Sequence, residues 1–165
     1  MVREEMIIKH KRWKFPMECE MEYRIEETNS AEGTFQLGYE LAQRAQKGEI
    51  YCLDGDLGVG KTVFTQGFAV GLGITESINS PTFTIVQVYE DGKMPFYHFD
   101  VYRIGDEEEM DEIGYEDYFF GEGVCLIEWS ERIEGILPEY CRKIQIQKDL
   151  TKGLDYRKIT IVQNK

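Results

Sequence analysis

Residues 50–62 read IYCLDGDLGVGKT, and this stretch decides the fold. Its last eight residues, Gly55–Thr62, complete the pattern G-x-x-x-x-G-K-[ST]. The glycines allow the backbone to turn tightly and to point its N–H groups at phosphate oxygens. An apolar run, Ile50–Leu53, leads into the loop, and a helical pattern from Lys61 to about Leu72 leads out of it. The motif therefore has the strand–loop–helix context that it requires, and we predict a phosphate-binding loop here.

The residue types in this loop match the chemistry of nucleotide binding. We expect the loop backbone to bind phosphate oxygens; the residues concerned are Gly55, Asp56, Leu57, Gly58, Val59 and Gly60. The Lys61 ammonium is a point charge for the β- and γ-phosphates, and the helix that begins there adds its positive N-terminal end. The Thr62 hydroxyl is a ligand for Mg²⁺. ATP with Mg²⁺ is the predicted ligand.

A phosphate loop of this kind needs an acid near the metal, and two apolar strands end in one. Glu128 follows the run Val124–Ile127, and Asp100 follows Phe96–Phe99. One of the two acids is expected to hold Mg²⁺, directly or through water, while the other orients the attacking water. The spacing along the chain does not assign the two roles.

Ser80–Thr84, with the sequence SPTFT, lies between the loop helix and the next strand pattern. Pro81 fixes a turn, and the hydroxyl groups are suited to contact the γ-phosphate or the metal. This is the composition of a switch segment that becomes ordered when a triphosphate is bound. An ordinary loop between a helix and a strand is the alternative.

The composition is that of one globular domain. The chain has 165 residues, 42% of them hydrophobic, and a net charge of −12. The acidic excess argues against a protein whose main task is to grip nucleic-acid backbone, because phosphate neutralisation needs clustered Lys and Arg. The four cysteines show no CxxC spacing, so we predict no zinc site and a reducing, cytoplasmic location. No apolar run approaches the ~18 residues of a membrane span, and we expect neither a membrane segment nor a signal peptide.

Hydrophobic patterning outlines the other elements. They are a half-buried strand at Met17–Ile25, a helix capped by Asn29 or Ser30 whose apolar stripe ends at Gly48, strands at Glu49–Leu53 and Val124–Trp129, β-rich runs at Thr82–Val88 and Pro95–Tyr102, and strands at Ile144–Ile146 and Ile159–Val162. Turn residues at Glu90–Lys93 and at Lys152–Gly153 indicate two hairpins. Strands therefore alternate with helices first, and hairpins dominate later.

This order predicts an α/β protein with the three-layer fold of P-loop NTPases. We expect a mixed sheet that is mainly parallel at its centre, with antiparallel hairpins added. Residues 17–165 are predicted to form a single P-loop ATPase domain, and residues 1–16 a basic, flexible N-terminal extension. The extension could also result from an over-extended start codon, or form a short basic arm that binds a partner.

Four motifs in a fixed order carry a family resemblance; they are Gly55–Thr62, Asn79–Thr84, His98–Arg103 and Leu126–Trp129. With them the chain resembles the TsaE family, the bacterial ATPases of tRNA threonylcarbamoyladenosine biosynthesis, from about Ser30 to Pro138. The resemblance implies a cytoplasmic ATPase that works with the threonylcarbamoyl-transferase subunit and its companion subunit. That complex forms N6-threonylcarbamoyladenosine next to the anticodon in tRNAs that read codons starting with A.

The resemblance also implies roles for single residues. The ATPase drives or resets the complex and does not itself transfer the threonylcarbamoyl group, so its contact with tRNA is indirect or weak. Thr62 and Glu128 correspond to the Mg²⁺ ligands, and Asp100 to the acid that supports hydrolysis, alongside Lys61.

Three further positions are implied to lie at the nucleotide. Thr84 and its neighbours correspond to the switch, and Trp129 is implied to lie near the nucleotide. The backbone near Ala31 is implied to lie against it. The chain departs from the family mainly in its first twenty or so residues.

Other charged groups have two interpretations each. His98 is expected to be a hydrogen-bonded structural residue rather than a proton shuttle, and Arg103 to form a salt bridge rather than an arginine finger. The acidic run Asp106–Glu112 is expected to be a solvated helix face, with a partner's basic surface as the alternative. The second hairpin is expected to be solvated or else to contact a partner or tRNA through its basic residues, Arg142, Lys143, Lys148, Lys152, Arg157 and Lys158.

Two other functions compete with an ATPase of a tRNA-modification complex. One is a nucleotide-gated binding module that holds ATP, hydrolyses it negligibly and signals its occupancy to a partner. The other is a different small P-loop NTPase. A GTPase is disfavoured because the chain has no [NT]-K-x-D motif, and a kinase because few arginines are available for a second phosphorylated substrate.

Overall fold

The computed structural model describes residues 20–164 and, closer to the start of the chain, the backbone of two strands. These strands, β1 (Arg3–Ile8) and β2 (Lys11–Pro16), pair antiparallel as a separate two-stranded sheet. Flexibility of the 1–16 extension stays a prediction. Met17 and Cys19, which open the predicted first strand, lie outside the described residues.

The remaining strands build the main sheet. They are β3 (Met21–Thr28), β4 (Ile50–Asp54), β5 (Val86–Tyr89), β6 (Phe96–Asp100), β7 (Val124–Glu128), β8 (Arg142–Lys148) and β9 (Arg157–Asn164). Within the described residues these seven strands lie in the order β3-β9-β8-β4-β7-β6-β5. The four central strands β8, β4, β7 and β6 are parallel to one another, whereas β9 pairs antiparallel with β8, β3 with β9 and β5 with β6. The predicted mixed sheet, parallel at its centre and extended by two hairpins, is confirmed.

Helices cover both faces of this sheet. They are α1 (Ala31–Gln43), α2 (Lys61–Gly71), α3 (Glu109–Ile113), α4 (Tyr115–Phe119) and short 3₁₀ turns over Ser130–Ile136. Alternate residues of β4 point to opposite faces, as the period of a strand requires. Tyr51 and Leu53 enter the core beneath α1 and α2, while Ile50 and Cys52 enter the core beneath α3, α4 and the 3₁₀ turns. The protein therefore has the three layers that the sequence predicts.

Helices α1 and α2 pack unusually close together because glycines face their contact. A Cβ atom at Gly38 would lie 2.3 Å from the carbonyl oxygen of Phe64, and one at Gly67 would lie 2.0 Å from that of Phe35. The side chain of Ser30 caps α1 by accepting a hydrogen bond from the Gly33 N–H at 3.0 Å, as expected for this N-cap. The cap and the close packing hold the start of α1 beside the phosphate loop.

Two strand predictions need correction. The strand predicted at Met17–Ile25 is β3, which runs from Met21 to Thr28. It is not half-buried along its length, because it is an edge strand on which Tyr23 and Ile25 are exposed. The run Thr82–Val88 becomes a strand only at Val86, because Ile85 takes a left-handed conformation (φ 68°) after a turn. In the described part of the chain, no helix is long and apolar enough to cross a membrane.

Candidate functional site

The loop between β4 and α2 turns on glycines with positive φ. Gly58 (φ 71°) and Gly60 (φ 108°) lie in the left-handed region, which side chains with a Cβ rarely adopt. Gly60 is also the N-cap of α2, so the helix starts at Lys61 with the N–H groups of its first turn directed toward the loop. This is the backbone arrangement that binds anions at a helix N-terminus.

The Lys61 side chain lies folded over the loop. Its Nζ donates hydrogen bonds to the carbonyl oxygens of Gly55 at 2.6 Å and Asp56 at 3.1 Å. The same ammonium lies 4.0 Å from the centre of the Trp129 ring, within the range of a cation–π interaction. Lys61 is only 5% exposed, so its charge acts in a setting with little water to screen it.

Glu128 is held by two elements that come from distant parts of the chain. Its Oε1 atom lies 3.0 Å from His98 Nε2 on β6 and 3.2 Å from Thr65 Oγ1 on α2. The Nδ1 atom of His98 has no hydrogen-bond partner among the described residues. A ring that carries a proton on Nε2 can donate a hydrogen bond to this carboxylate. This contact fits the hydrogen-bonded role that we predict for His98.

Asp100 lies beside Glu128, because the two residues are opposite each other where the parallel strands β6 and β7 end. Its Oδ2 atom accepts hydrogen bonds from Ser80 Oγ at 2.5 Å and Thr82 Oγ1 at 3.2 Å, and its Oδ1 from the Tyr102 N–H at 3.0 Å. The serine and threonine of the predicted switch segment are therefore attached to one of the two acids.

A cavity of about 490 Å³ joins these groups. It is lined by Leu57, Gly58, Gly60, Lys61, Thr62, Val63, Ser80, Thr82, Asp100, Tyr102, Glu128 and Trp129. Thr84, which we predict in the switch, is exposed and does not line it. Gly55, Asp56 and Val59, which we predict at the phosphates, are not among the residues that line it either. The carbonyl oxygens of Gly55 and Asp56 accept hydrogen bonds from Lys61, and that of Val59 accepts one from Arg157 Nε at 2.7 Å.

Ala31 lies at a second, smaller cavity of about 200 Å³ on the other side of the loop. Gly58, Gly60 and Val63 line both cavities, so the two adjoin at the phosphate loop. Asp155 and Arg157 close this side from the second hairpin. The structure therefore separates the predicted site residues into a side with the acids and a side with the start of α1.

The donor set fits Mg²⁺ brought in together with a phosphate ligand. No group of three or more His, Cys, Asp and Glu side chains in the described residues is arranged to hold a metal ion alone. Mg²⁺ characteristically takes one or two protein ligands and completes its octahedron with waters and substrate phosphates. The Thr62 hydroxyl and the Glu128 and Asp100 carboxylates at one cavity supply such a partial set.

Several residues of the site are absent from the sequence-based predictions. Tyr102 lines the cavity, with its ring centre 5.0 Å from that of Trp129. Thr65 supports Glu128, and Asp54 lies buried at the end of β4, bonded to Ser130. The helical spacing of Thr65 from Lys61 was an available signal. The contact between Asp54 and Ser130 joins residues 76 positions apart, so no local sequence pattern predicts it.

The remaining charged groups are placed as follows. Arg103 lies over the ring of Phe83 at 4.4 Å from its centre, a contact that is neither a salt bridge nor a phosphate contact. Among the basic residues of the second hairpin, Arg142 bonds to Glu49, Lys152 to Glu27 and Arg157 to Val59. Within the acidic run, α3 begins at Glu109 and buries Met110.

Three comparisons agree on what the chain is similar to. A sequence model of the family described as "Threonylcarbamoyl adenosine biosynthesis protein TsaE" matches residues 28–159. The chain is 53% identical over 116 residues to "tRNA threonylcarbamoyladenosine biosynthesis protein TsaE" of Bacillus subtilis, a match that covers 70% of each chain. The protein of the same name from Treponema pallidum is 42% identical over 120 residues, which cover 73% of this chain and 88% of that one. Among solved structures, the crystal structure of Bacillus subtilis YdiB has a TM-score of 0.75 and 40% sequence identity, covering 87% of each chain.

Proposed function

The chain belongs to the TsaE family, and from this premise we propose that it is the Mg²⁺-dependent ATP-binding and ATP-hydrolysing component of a complex that forms N6-threonylcarbamoyladenosine in tRNA. The observation that carries the proposal is the single cavity that joins Lys61, Thr62, Asp100 and Glu128. A phosphate loop, a metal-binding hydroxyl and two carboxylates are the parts that ATP hydrolysis needs.

Each residue has a proposed task. The loop backbone and Lys61 bind the phosphates, and Lys61 exchanges its hydrogen bonds to the loop carbonyls for phosphate oxygens. Thr62 and Glu128 hold Mg²⁺, which when bound neutralises charge on the phosphate groups. Asp100 orients the attacking water, and its hydrogen bonds to Ser80 and Thr82 support this task because they fix one carboxylate oxygen.

The nucleoside is proposed to occupy the second cavity. Ala31 begins α1 there, and the cavity shares Gly58 and Gly60 with the acidic side, so one ligand can contact both. In this arrangement the phosphates cross the loop while the sugar and base lie against the start of α1. Trp129 lies on the phosphate side, where its ring contacts Lys61 and can report phosphate binding by fluorescence.

The partners proposed are the threonylcarbamoyl-transferase subunit and its companion, in the cytoplasm. The protein itself drives or resets that complex and leaves the group transfer to the transferase. Leu57, which lines the cavity that ATP would occupy, and Phe83, which follows the lining residue Thr82, support the need for a partner, since both are 85% exposed. We therefore propose slow hydrolysis by the chain alone.

A nucleotide-gated module with negligible hydrolysis is the second candidate function. The attachment of Ser80 and Thr82 to Asp100 favours it, because the same contacts allow the switch segment to respond to the ligand. Such a module would need ATP binding, but not turnover, to change its affinity for a partner.

The deciding experiment measures Mg²⁺-dependent ATP hydrolysis by the purified chain, alone and with the presumed partner subunits and tRNA. Glu128→Ala removes the proposed metal ligand, and Lys47→Ala, a lysine paired with Glu122, serves as the control. We expect strong stimulation by the partners that Glu128→Ala abolishes and Lys47→Ala preserves. ATP binding without stimulated turnover would favour the gated module, and absence of ATP binding would refute both candidates.

A further inference from the structure

A buried carboxyl group that the proposed mechanism does not use lies directly behind the phosphate loop. Asp54 is the last residue of β4 and immediately precedes Gly55, yet its side chain is 1% exposed and belongs to no wall of the two cavities. Its Oδ1 atom accepts a hydrogen bond from the Ser130 N–H at 2.7 Å, and its Oδ2 one from Ser130 Oγ at 2.7 Å. Ser130 is itself completely buried.

The position of this contact in the sheet explains what it does. Strand β7 pairs with β4 up to the pair Leu53 and Glu128, and the Trp129 N–H still reaches the Leu53 carbonyl oxygen at 3.3 Å. At Trp129 the backbone turns out of the sheet with a φ of 62°. The next N–H, that of Ser130, would be buried without a partner, and the Asp54 carboxyl group satisfies it.

The corner formed in this way carries two residues of the proposed site. Glu128 is the last strand residue before the corner, and Trp129 is the corner itself. The left-handed region is unfavourable for a non-glycine residue, so the conformation of Trp129 persists only where its surroundings hold it. The double hydrogen bond from Ser130 to Asp54 is a restraint of that kind, since it fixes the residue that follows.

We propose that Asp54 and Ser130 form a clasp that holds the Trp129 ring over the Lys61 ammonium, and that Asp54 is therefore a positioning residue of the ATP site. The clasp joins the strand that enters the phosphate loop to the corner that follows Glu128. A shift of the corner would move the ring away from Lys61, from which it is now 4.0 Å distant. The consequence for hydrolysis rests on the proposed function, whereas the consequence for Trp129 does not.

Trp129 fluorescence tests the clasp in protein without nucleotide. The chain has one other tryptophan, so all variants carry Trp13→Phe. Asp54→Ala removes both hydrogen bonds from Ser130 and also the side-chain contact with Glu131. Ser130→Ala removes only the bond from the hydroxyl, and Asp54→Asn retains groups that can bond to both groups of Ser130. We expect a red-shifted emission and stronger acrylamide quenching in Asp54→Ala, a smaller change in Ser130→Ala and values near the parent in Asp54→Asn.

The chain offers a matched control with the same chemistry elsewhere. Thr75 donates from its N–H at 2.8 Å and from its hydroxyl at 2.6 Å to Asp91 Oδ2, an exposed pair outside the ATP site. Asp91→Ala and Thr75→Ala should leave Trp129 emission unchanged. Equal changes in these variants would mean that any such deletion disturbs the fold, and would overturn the proposal.

A second readout separates positioning from a purely structural role. Lys61→Ala should shift Trp129 emission in the parent background, because the ring loses the ammonium, but should have little effect when Asp54→Ala has already moved the ring. The same emission shift in both backgrounds, or unchanged quenching in a folded Asp54→Ala, would overturn the clasp. If Asp54→Ala does not fold, the effect of Lys61→Ala on Trp129 emission is compared between the parent and Ser130→Ala, with the same criterion.

Hydrolysis is measured last, on the same variants. A misplaced group in an active site can cost about 10²-fold in rate, and we expect kcat of Asp54→Ala to fall at least about tenfold, with Asp54→Asn restoring it. If the parent does not hydrolyse ATP, the proposed function fails while the fluorescence result still decides the clasp. Altered fluorescence with unchanged kcat would retain the clasp and refute its role in catalysis.

Discussion

At the scale of single residues, the candidate site depends on hydrogen bonds that neighbouring side chains donate to its carboxyl groups. Glu128 is 3% exposed, and a buried carboxyl group is stable only where it has hydrogen-bond partners. His98 Nε2, at 3.0 Å, is the donor that strand β6 supplies. This contact suits His98 to orient Glu128 for the Mg²⁺-binding role proposed for it.

His98→Ala is therefore expected to weaken Mg²⁺ use without abolishing ATP binding. The substitution leaves the Glu128 carboxylate without this donor, and loss of such a partner costs about 10–100-fold in metal affinity or activity. Mg²⁺ titrations of hydrolysis, with ATP binding measured in parallel, check the prediction. His98→Gln keeps an N–H donor and should recover part of the activity; an Mg²⁺ dependence in His98→Ala that matches the parent would contradict it.

Asp54 is expected to make stability depend on pH. Burial, and then the neighbouring Glu131, raise the pKa of the Asp54 carboxyl group well above its ordinary value, while the hydrogen bond from Ser130 lowers it. The folded protein therefore keeps a proton that the unfolded chain has released. The free energy of unfolding of the protein should fall as the pH rises from the unfolded pKa, about 4, to the folded pKa, and should level off above it. Cys52 and Lys143 also face this carboxyl group.

Urea unfolding at a series of pH values measures this effect, with Asp54→Asn as the variant that cannot titrate. The decline in stability above the unfolded pKa should be smaller in Asp54→Asn than in the parent. Asp91→Asn is the control of opposite sign, because hydrogen bonds from Thr75 lower the pKa of Asp91 and its contribution is lost as the pH falls. Identical pH profiles for the parent and Asp54→Asn would refute the assignment.

At the scale of elements, the contact between α1 and α2 positions the phosphate loop. Gly38 and Gly67 allow the two helices to approach, and α2 begins at the loop lysine while α1 begins beside the second cavity. The distance between the helices therefore sets the distance between the two sides of the proposed nucleotide site.

Gly67→Ala is expected to destabilise the protein although alanine favours helices. The new Cβ would lie 2.0 Å from the Phe35 carbonyl oxygen, which belongs to backbone and cannot rotate away. Overpacking costs about 1–3 kcal/mol, which exceeds the roughly 1 kcal/mol gained in helix propensity. Thermal or urea unfolding measures the difference. Val70→Ala, on an exposed face of the same helix, should change stability by less than about 0.5 kcal/mol; equal effects would contradict the packing argument.

At the scale of the whole molecule, the second hairpin is part of the core. Strand β8 pairs with β4, and four isoleucines of the hairpin are at most 4% exposed; they are Ile144, Ile146, Ile159 and Ile161. Arg157 also bonds to the phosphate loop at Val59. The second hairpin, which follows the stretch Ser30–Pro138 that carries the family resemblance, therefore supports the strand that enters the loop.

Removal of residues 142–165 is expected to unfold the rest of the chain. Each buried isoleucine contributes about 1.5–3 kcal/mol, so four of them approach the whole stability of a typical domain, about 5–15 kcal/mol. Circular dichroism and ATP binding of the shortened chain check this. A folded, ATP-binding fragment would show that the loop and its helices are stable without β8 and β9.

Features that depend on near neighbours along the chain are predictable from the amino-acid sequence alone. Gly58, Gly60 and Lys61 specify a loop and a helix start, Ser30 specifies a cap, and the turn residues specify two hairpins, because each conformation is set within a few residues. The strand ends at Asp100 and Glu128 were also readable, since an apolar run stops at each. The strand predicted to begin at Thr82 begins only at Val86, because β-rich composition does not reveal the left-handed conformation of Ile85.

The contacts between these distant residues follow from the order and pairing of the strands, which the sequence patterns do not reveal. Strand order placed Asp100 opposite Glu128, brought His98 and Thr65 to the same carboxylate, and set Ser130 against Asp54. Arg157 reaches Val59 across 98 positions. Parallel pairing joins strands that are distant in sequence, and its register follows from how all core side chains fill the space between layers. No local sequence pattern contains that information, so the hydrogen bonds that hold the side chains of the candidate site form only when the sheet is assembled.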